Sequence, residues 1–160
     1  MGLPEKSALK AELLALLEAE LTVLVASQRA AQEGATHEEA KAEDDKDTRA
    51  IEQSYLARGQ AARVAELEAG VQWVRAMELR AFEEDAPIAG GALVRVLEAG
   101  QERVLFLAPE GGGTTLAGGQ VMVITPRAPL GKALLGKSVG DSFELGVGPK
   151  RREIEISGVS

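Results

Sequence analysis

Two apolar stripes at helical spacing, followed by an abrupt change of period to two, constrain this chain more than any other feature. In the first stripe Leu13, Leu17, Leu21, Leu24, Gln28 and Ala31 recur at steps of three and four, which places them on one face of a helix. Residues 5–33 are dominated by Ala, Leu, Glu, Lys and Gln, all good helix formers, with no Gly or Pro among them. Gly34 is the natural stop. The pattern predicts a helix over 5–33, roughly 40 Å long at 1.5 Å per residue. A second stripe, Leu56, Gln60, Val64, Leu67, Val71, Val74 and Met77, predicts another helix from Thr48 to Phe82. Two such stripes joined by a short polar stretch make an antiparallel helical hairpin, a coiled coil in which each helix buries its stripe on the other. Gly59 and Gly70 weaken the second helix by ~1 kcal/mol each relative to Ala. Trp73 and Met77 are expected to pack where the hairpin meets the next domain.

From Asp85 to Gly91 the pattern breaks at Pro87 and the paired glycines, which reads as a linker. Beyond it the period is two, with candidate strands at 92–97, 103–108, 120–125, 142–147 and 152–157, the last alternating as Glu153-Ile154-Glu155-Ile156. The fold class is α+β: a helical hairpin over 1–84, a linker over 85–91 and a small β-sheet domain over 92–160. Between the third and fourth candidate strands lies Pro129-Leu130-Gly131-Lys132-Ala133-Leu134-Leu135-Gly136-Lys137-Ser138-Val139-Gly140-Asp141. Pro129 presets a helical φ, Lys132 to Leu135 supply one apolar turn, and Gly136 suits a left-handed stop. Gly140-Asp141 then allows a tight turn into the next strand. Leu130, Leu134 and Leu135 are expected to pack on the sheet, while Gly131 and Gly136 serve backbone geometry.

Composition removes several functions. The chain has no cysteine, hence no disulfide framework, zinc ribbon or thiol nucleophile. The N-terminus lacks a basic region followed by an unbroken apolar core, so no secretory signal is expected. The apolar run from Leu13 to Val25 contains Glu18 and Glu20 and is not a membrane span. A net charge of −7 opposes nonspecific nucleic-acid wrapping, and 3% aromatic content leaves no platform for stacking single strands. Gly111-Gly112-Gly113 is a turn without the Lys-Ser/Thr of a phosphate-binding loop. An acidic chain of this kind acts on nucleic acid through a protein partner or a metal. Lys150-Arg151-Arg152 reads as strand-end solubility.

The stretch between the two helices is strongly acidic. Glu38, Glu39, Glu43, Asp44, Asp45 and Asp47 crowd it against Lys41 and Lys46. Thr36 with Glu39 fits a capping box, which allows a short helix or an early start of the second one. Asp47 or Thr48 can cap the second helix, and Arg49 is free to contact a partner. His37 is the one histidine, which makes no metal site and reads as a helix-entry residue. Taken alone, a charge run of this sort is a solvated loop.

The Pro129–Asp141 string resembles the Pro-Leu-Gly-x-Ala-Leu-x-Gly-Lys-x-x-Gly-Asp string of the Gre transcription elongation factors, where it crosses between strands of an FKBP-like sheet. The order of hairpin, acidic tip and β-rich domain is similar to that family as well. The resemblance implies a small FKBP-like antiparallel sheet domain with one short helix. It implies RNA polymerase as the partner, gripped at the rim of its secondary channel, with indirect contact to nascent RNA and a cytoplasmic location. It also implies that the tip helps hold a Mg²⁺ shared with the polymerase active site, where metal-bound water hydrolyses a backtracked transcript. Hard Mg²⁺ suits one or two carboxylates, and two metals stabilise the attacking and leaving oxygens. The protein is then an accessory to the polymerase's own nuclease activity rather than an enzyme. The family tip, Gly-Asp-Leu-x-Glu-Asn-Ala-Glu-Tyr, aligns with Gly34-Ala35-Thr36-His37-Glu38-Glu39-Ala40-Lys41-Ala42. Glu38 keeps the acidic position, Ala35 replaces the aspartate, and Asp44, Asp45 and Asp47 are candidates to compensate. Glu52-Gln53-Ser54-Tyr55 is a looser match, too far into the second helix. The candidate metal residues are thus Glu38, Asp44 and Asp45, with Asp47 added to the catalytic set. The candidate polymerase contacts are Pro129, Leu130, Gly131, Lys132 and Lys137.

Three alternatives follow from the same residues. The incomplete tip suits a non-cleaving regulator or inhibitor of the polymerase. A prolyl isomerase needs an aromatic-walled pocket, but the β-rich part has only Phe106 and Phe143 as aromatic residues. A coiled-coil adaptor needs the helices to pair between chains, whereas a hairpin closed within one chain is a monomer.

Overall fold

The computed structural model describes residues 3–41 and 48–160. At 35–41, 48–50 and 53 it describes the helical backbone alone. Helix α1 spans Lys6–Lys41 and α2 spans Thr48–Ala76. Strands β1 (Leu93–Glu98), β2 (Gln101–Leu107), β3 (Thr115–Leu116) and β4 (Val121–Ile124) follow. Helix α3 (Pro129–Leu134), β5 (Ser142–Leu145) and β6 (Arg152–Val159) complete the chain. The architecture is α+β, as expected. The chain divides into two compact units: Ala15–Gln72, and Met1–Leu14 with Trp73–Ser160.

In the helical unit α1 and α2 run antiparallel. Gln60 donates to Ser27 Oγ at 3.2 Å, and Arg63 pairs with Glu20 at 3.4 Å. Both groups of that ion pair are about half exposed, so it contributes at most about 1 kcal/mol. The apolar stripe does more. Leu17 and Leu67 are buried, and Leu21, Leu24, Gln28 and Ala31 are half-buried at the spacing expected of α1. On α2 the inward face is Ala57, Gln60 and Val64, half-buried, with Leu67 and Val71 buried, and not Leu56, which is half exposed. Ala57 sits one position along and keeps the three-four rhythm with Gln60 and Val64. Helix α1 does not stop at Gly34 but continues to Lys41. A single Gly inside a helix costs only ~1 kcal/mol, and Ala35, Glu38, Glu39, Ala40 and Lys41 favour continuation. The 36–41 stretch is therefore the end of α1, neither a separate helix nor the start of α2.

Helix α2 ends at Ala76, short of the expected Phe82. Its last carbonyls lack intrahelical partners. Lys10, from the first turns of α1, donates to the Arg75 and Met77 carbonyls at 2.8 and 2.9 Å. A cation at a helix C-terminus also complements the helix dipole. Lys6 donates to Arg80 O at 2.6 Å and Ser160 O at 3.0 Å. Its ammonium lies 4.8 Å from the Phe82 ring centroid, and the Arg80 guanidinium lies equally close to that ring. Burial first, and then the Arg80 charge, hold Lys6 below the ordinary lysine range. Phe82, freed from the helix, is buried in the sheet core. Trp73 does not pack as expected: it is 60% exposed and, with Met77, Pro109 and Pro126, lines an open groove of about 390 Å³.

The sheet is six-stranded in the order β3-β4-β2-β1-β6-β5. It is mixed rather than antiparallel, because β4 runs parallel to β2, with Phe106 beside Val123. The short β3 explains the difference. It reverses the chain once after β2, and its antiparallel pairing with β4 reverses it again. A two-residue strand carries no readable period, so this reversal is invisible to alternation. One face of the sheet buries Val94, Val96, Leu105, Leu107, Ile154 and Ile156 with Ile88, Leu130 and Leu134. Register places Leu93, Phe106 and Val123 together on the opposite face, also buried, in the unit that contains buried Leu9, Leu13 and Val74. Burial on both faces is why β1 and β2 are apolar in runs.

Candidate functional site

The connector from β4 to β5 is the part of the sheet domain where sequence and geometry agree most closely. Ala128 is extended, and Pro129 occupies the first turn of α3, where its missing N–H costs nothing. Lys132 N–H donates to Ala128 O at 2.8 Å and Leu135 N–H to Gly131 O at 3.2 Å. Leu130 and Leu134 face the core, whereas Leu135 does not join them and is 39% exposed. Gly131 sits directly over the end of β4: a Cβ there would overlap the Thr125 carbonyl. That close approach, rather than a special φ, is what requires glycine.

The exit from α3 is locked to the stretch before β1. Gly136 adopts φ 81, the left-handed stop its sequence predicts. Its N–H donates to Ile88 O at 2.9 Å, and Ile88 N–H donates to Lys137 O at 2.8 Å. Ser138 Oγ lies 3.3 Å from both the Asp85 and Ala86 carbonyls. Asp141 closes the following turn: its Oδ2 accepts the Ser138 amide at 2.8 Å, and its own N–H donates to Ser138 O. Asp141→Ala is expected to cost ~1 kcal/mol by leaving that amide without its side-chain acceptor, measured as a lower urea midpoint at unchanged slope. Asp141→Asn should cost less, because its amide oxygen still accepts.

The candidate partner residues therefore separate into two groups. Leu130 and Gly131 are buried and build the connector. Pro129 and Lys132 are exposed, and Lys137 is half-buried, with its ammonium 5.6 Å from the Phe143 ring centroid. Pro129 and Lys132 on α3, and Leu135 just past its end, are thus the groups open to a partner. At the strand ends, Arg151 pairs with Glu144 and Arg152 with Glu98, which Arg103 shares, so two of the three basic residues near 150 are held in ion pairs. The acidic candidates fall elsewhere. Asp44, Asp45 and Asp47 lie outside the described residues, and Glu38 is described only as backbone within α1, as are Thr36, His37 and Glu39. Among the described residues no three His, Cys, Asp or Glu side chains come together as a metal site. Among the same residues no helix is long and apolar enough to cross a membrane.

A helical hairpin joined to a mixed-sheet domain, with a glycine-tight Pro-Leu-Gly helix between β4 and β5, defines the class. Residues 86–160 match the family model described as transcription elongation factor GreA/GreB, C-term. Through that domain the chain is similar to the GreA/GreB family of transcription elongation factors. No curated protein matches the sequence. Among solved structures, the GreA factor homolog 1 (Gfh1) protein of Thermus thermophilus is 20% identical with a TM-score of 0.38, over 92% of this chain and 94% of that one. Gfh1 of Thermus aquaticus is 19% identical with a TM-score of 0.41, over 91% and 92%. GreA/GreB from Nitrosomonas europaea is 23% identical with a TM-score of 0.38, over 61% and 78%.

Proposed function

We propose that this protein binds RNA polymerase through the secondary channel and modulates elongation, by stimulating cleavage of backtracked transcripts. The observation that carries the reading is the GreA/GreB C-terminal domain over 86–160, together with a connector whose exposed groups, Pro129 and Lys132, stand on a rigidly bonded frame. In this reading the sheet domain grips the partner through Pro129, Lys132 and Lys137, with Leu130 and Gly131 as their scaffold. Glu38, Asp44 and Asp45 would supply carboxylates to a Mg²⁺ shared with the polymerase, with Asp47 completing the catalytic set. A bound Mg²⁺ lowers the pKa of its water and steadies the oxygens of the displacement. A carboxylate beside it orients that water or accepts its proton. The chain is then an accessory, working in the cytoplasm as a monomer, with the nascent RNA met only at the polymerase active site.

Ala35, where the family places an aspartate, favours a second reading: the same binding without cleavage, as a regulator or inhibitor. One assay separates the two. Purified cognate polymerase, stalled and backtracked in Mg²⁺, is incubated with and without the protein, and transcript shortening is timed. The cleavage reading expects acceleration of at least tenfold, lost in Glu38→Ala or the Asp44→Ala/Asp45→Ala pair. Binding without acceleration selects the regulator, and absence of binding refutes both.

A further inference from the structure

The first turns of α1 carry polar side chains that reach backbone groups remote in sequence. Both carboxylate oxygens of Glu12 accept from the Ala117 amide, at 3.0 and 3.3 Å. Lys10, two residues earlier, holds the Arg75 and Met77 carbonyls at the end of α2. Positions two apart on a helix point to different sides, so this turn of α1 is gripped from two directions. The compact unit containing the sheet takes in α1 as far as Leu14, just past these residues.

The corner that receives Glu12 is strained. Ala117, Gly118 and Gly119 have φ of 54, 67 and 94. Two glycines adopt this conformation freely, but for an alanine the left-handed region costs roughly 1–2 kcal/mol. Such a residue persists only where its surroundings hold it. A charge-assisted hydrogen bond to its own amide is a hold of that kind.

We propose that Glu12 and Lys10 form a two-sided latch: Glu12 keeps the corner between β3 and β4 in its left-handed form, Lys10 keeps the end of α2, and the two grips engage and release together through one turn of α1. Glu12 acts here as a positioning residue. Released, Ala117 relaxes toward negative φ and the start of α1 frays from the corner. The donor and acceptors on the far side of both grips are neutral backbone groups, so the latch depends on side-chain placement rather than on matched charges. None of this requires the polymerase reading.

Residue-resolved hydrogen exchange on the full chain tests it. Glu12→Ala is expected to speed exchange of the Ala117 amide at least tenfold, and Glu12→Gln, which keeps an acceptor oxygen, to restore most of the protection. Lys10→Met touches nothing at the corner, yet coupling requires it to speed exchange at Ala117 as well as at 73–77. The Ile154 and Ile156 amides in β6 report global stability and should not change. If Lys10→Met acts only on α2, or Glu12→Gln rescues nothing, the latch is refuted and the contacts are independent surface bonds. Should Glu12→Ala unfold the unit, Lys10→Met and Glu12→Gln still decide the outcome.

Discussion

Gly131→Ala should destabilise the sheet domain by about 3 kcal/mol or more, although the same change in an ordinary helix is stabilising by ~1 kcal/mol. The reversal of sign comes from one contact. The added methyl would overlap the Thr125 carbonyl and press on Pro126 Cα, which are backbone atoms at the end of β4. They move only if the sheet or α3 moves. A loss of that size lowers the melting temperature of a domain this small by roughly 12–24 °C. Thermal unfolding followed by circular dichroism would show it, and a variant melting at or above the parent would mean that α3 seats loosely on β4.

Leu134→Ala is the second large effect, and it separates scaffold from contact. Leu134 is fully buried against a cluster that includes Ile88, Leu130, Ile154 and Ile156. Truncation there is expected to cost ~2–5 kcal/mol, the range for buried leucines whose surroundings only partly collapse. Lys132 lies on the same helix but is exposed, so Lys132→Ala should stay within ~0.5 kcal/mol of the parent in stability. Under the proposed function the order inverts for binding: Lys132→Ala weakens association with polymerase, and Leu134→Ala does so only where it unfolds the domain. Denaturant titration beside a polymerase pull-down at a temperature where both variants are folded makes the comparison. Equal binding by Lys132→Ala and the parent would remove α3 from the interface.

The connector was legible because its constraints are local. Pro129 at the helix start and Gly136 just past its end each follow from backbone sterics within a few residues, and the structure places both as read. The stripe of α1 was legible for a similar reason, since a three-four rhythm specifies one face wherever the helix lies. On α2 the rhythm was right but its start was not: Leu56 is the more apolar residue, and Ala57 is the one turned inward. Hydrophobicity named the residue, and helical phase chose its neighbour. Leu135 failed in the same way, being apolar but just past the end of α3 and turned out.

Other features depend on groups that no local pattern brings together. The end of α2 answers to Lys10, more than sixty residues away along the chain. The parallel pairing of β2 and β4 depends on a two-residue strand. The Glu12–Ala117 contact joins positions whose sequence neighbourhoods have nothing in common. The acidic stretch was legible as chemistry, but Asp44, Asp45 and Asp47 lie outside the described residues, and Glu38 is described as backbone alone. From residues alone came the element types, the faces they bury, the α3 connector and the family resemblance, because short-range sterics and periodicity encode them. Strand direction, the end of α2, the exposure of Trp73 and the polar grips on α1 came from folding in three dimensions, where long-range backbone groups satisfy hydrogen bonds that local sequence leaves open.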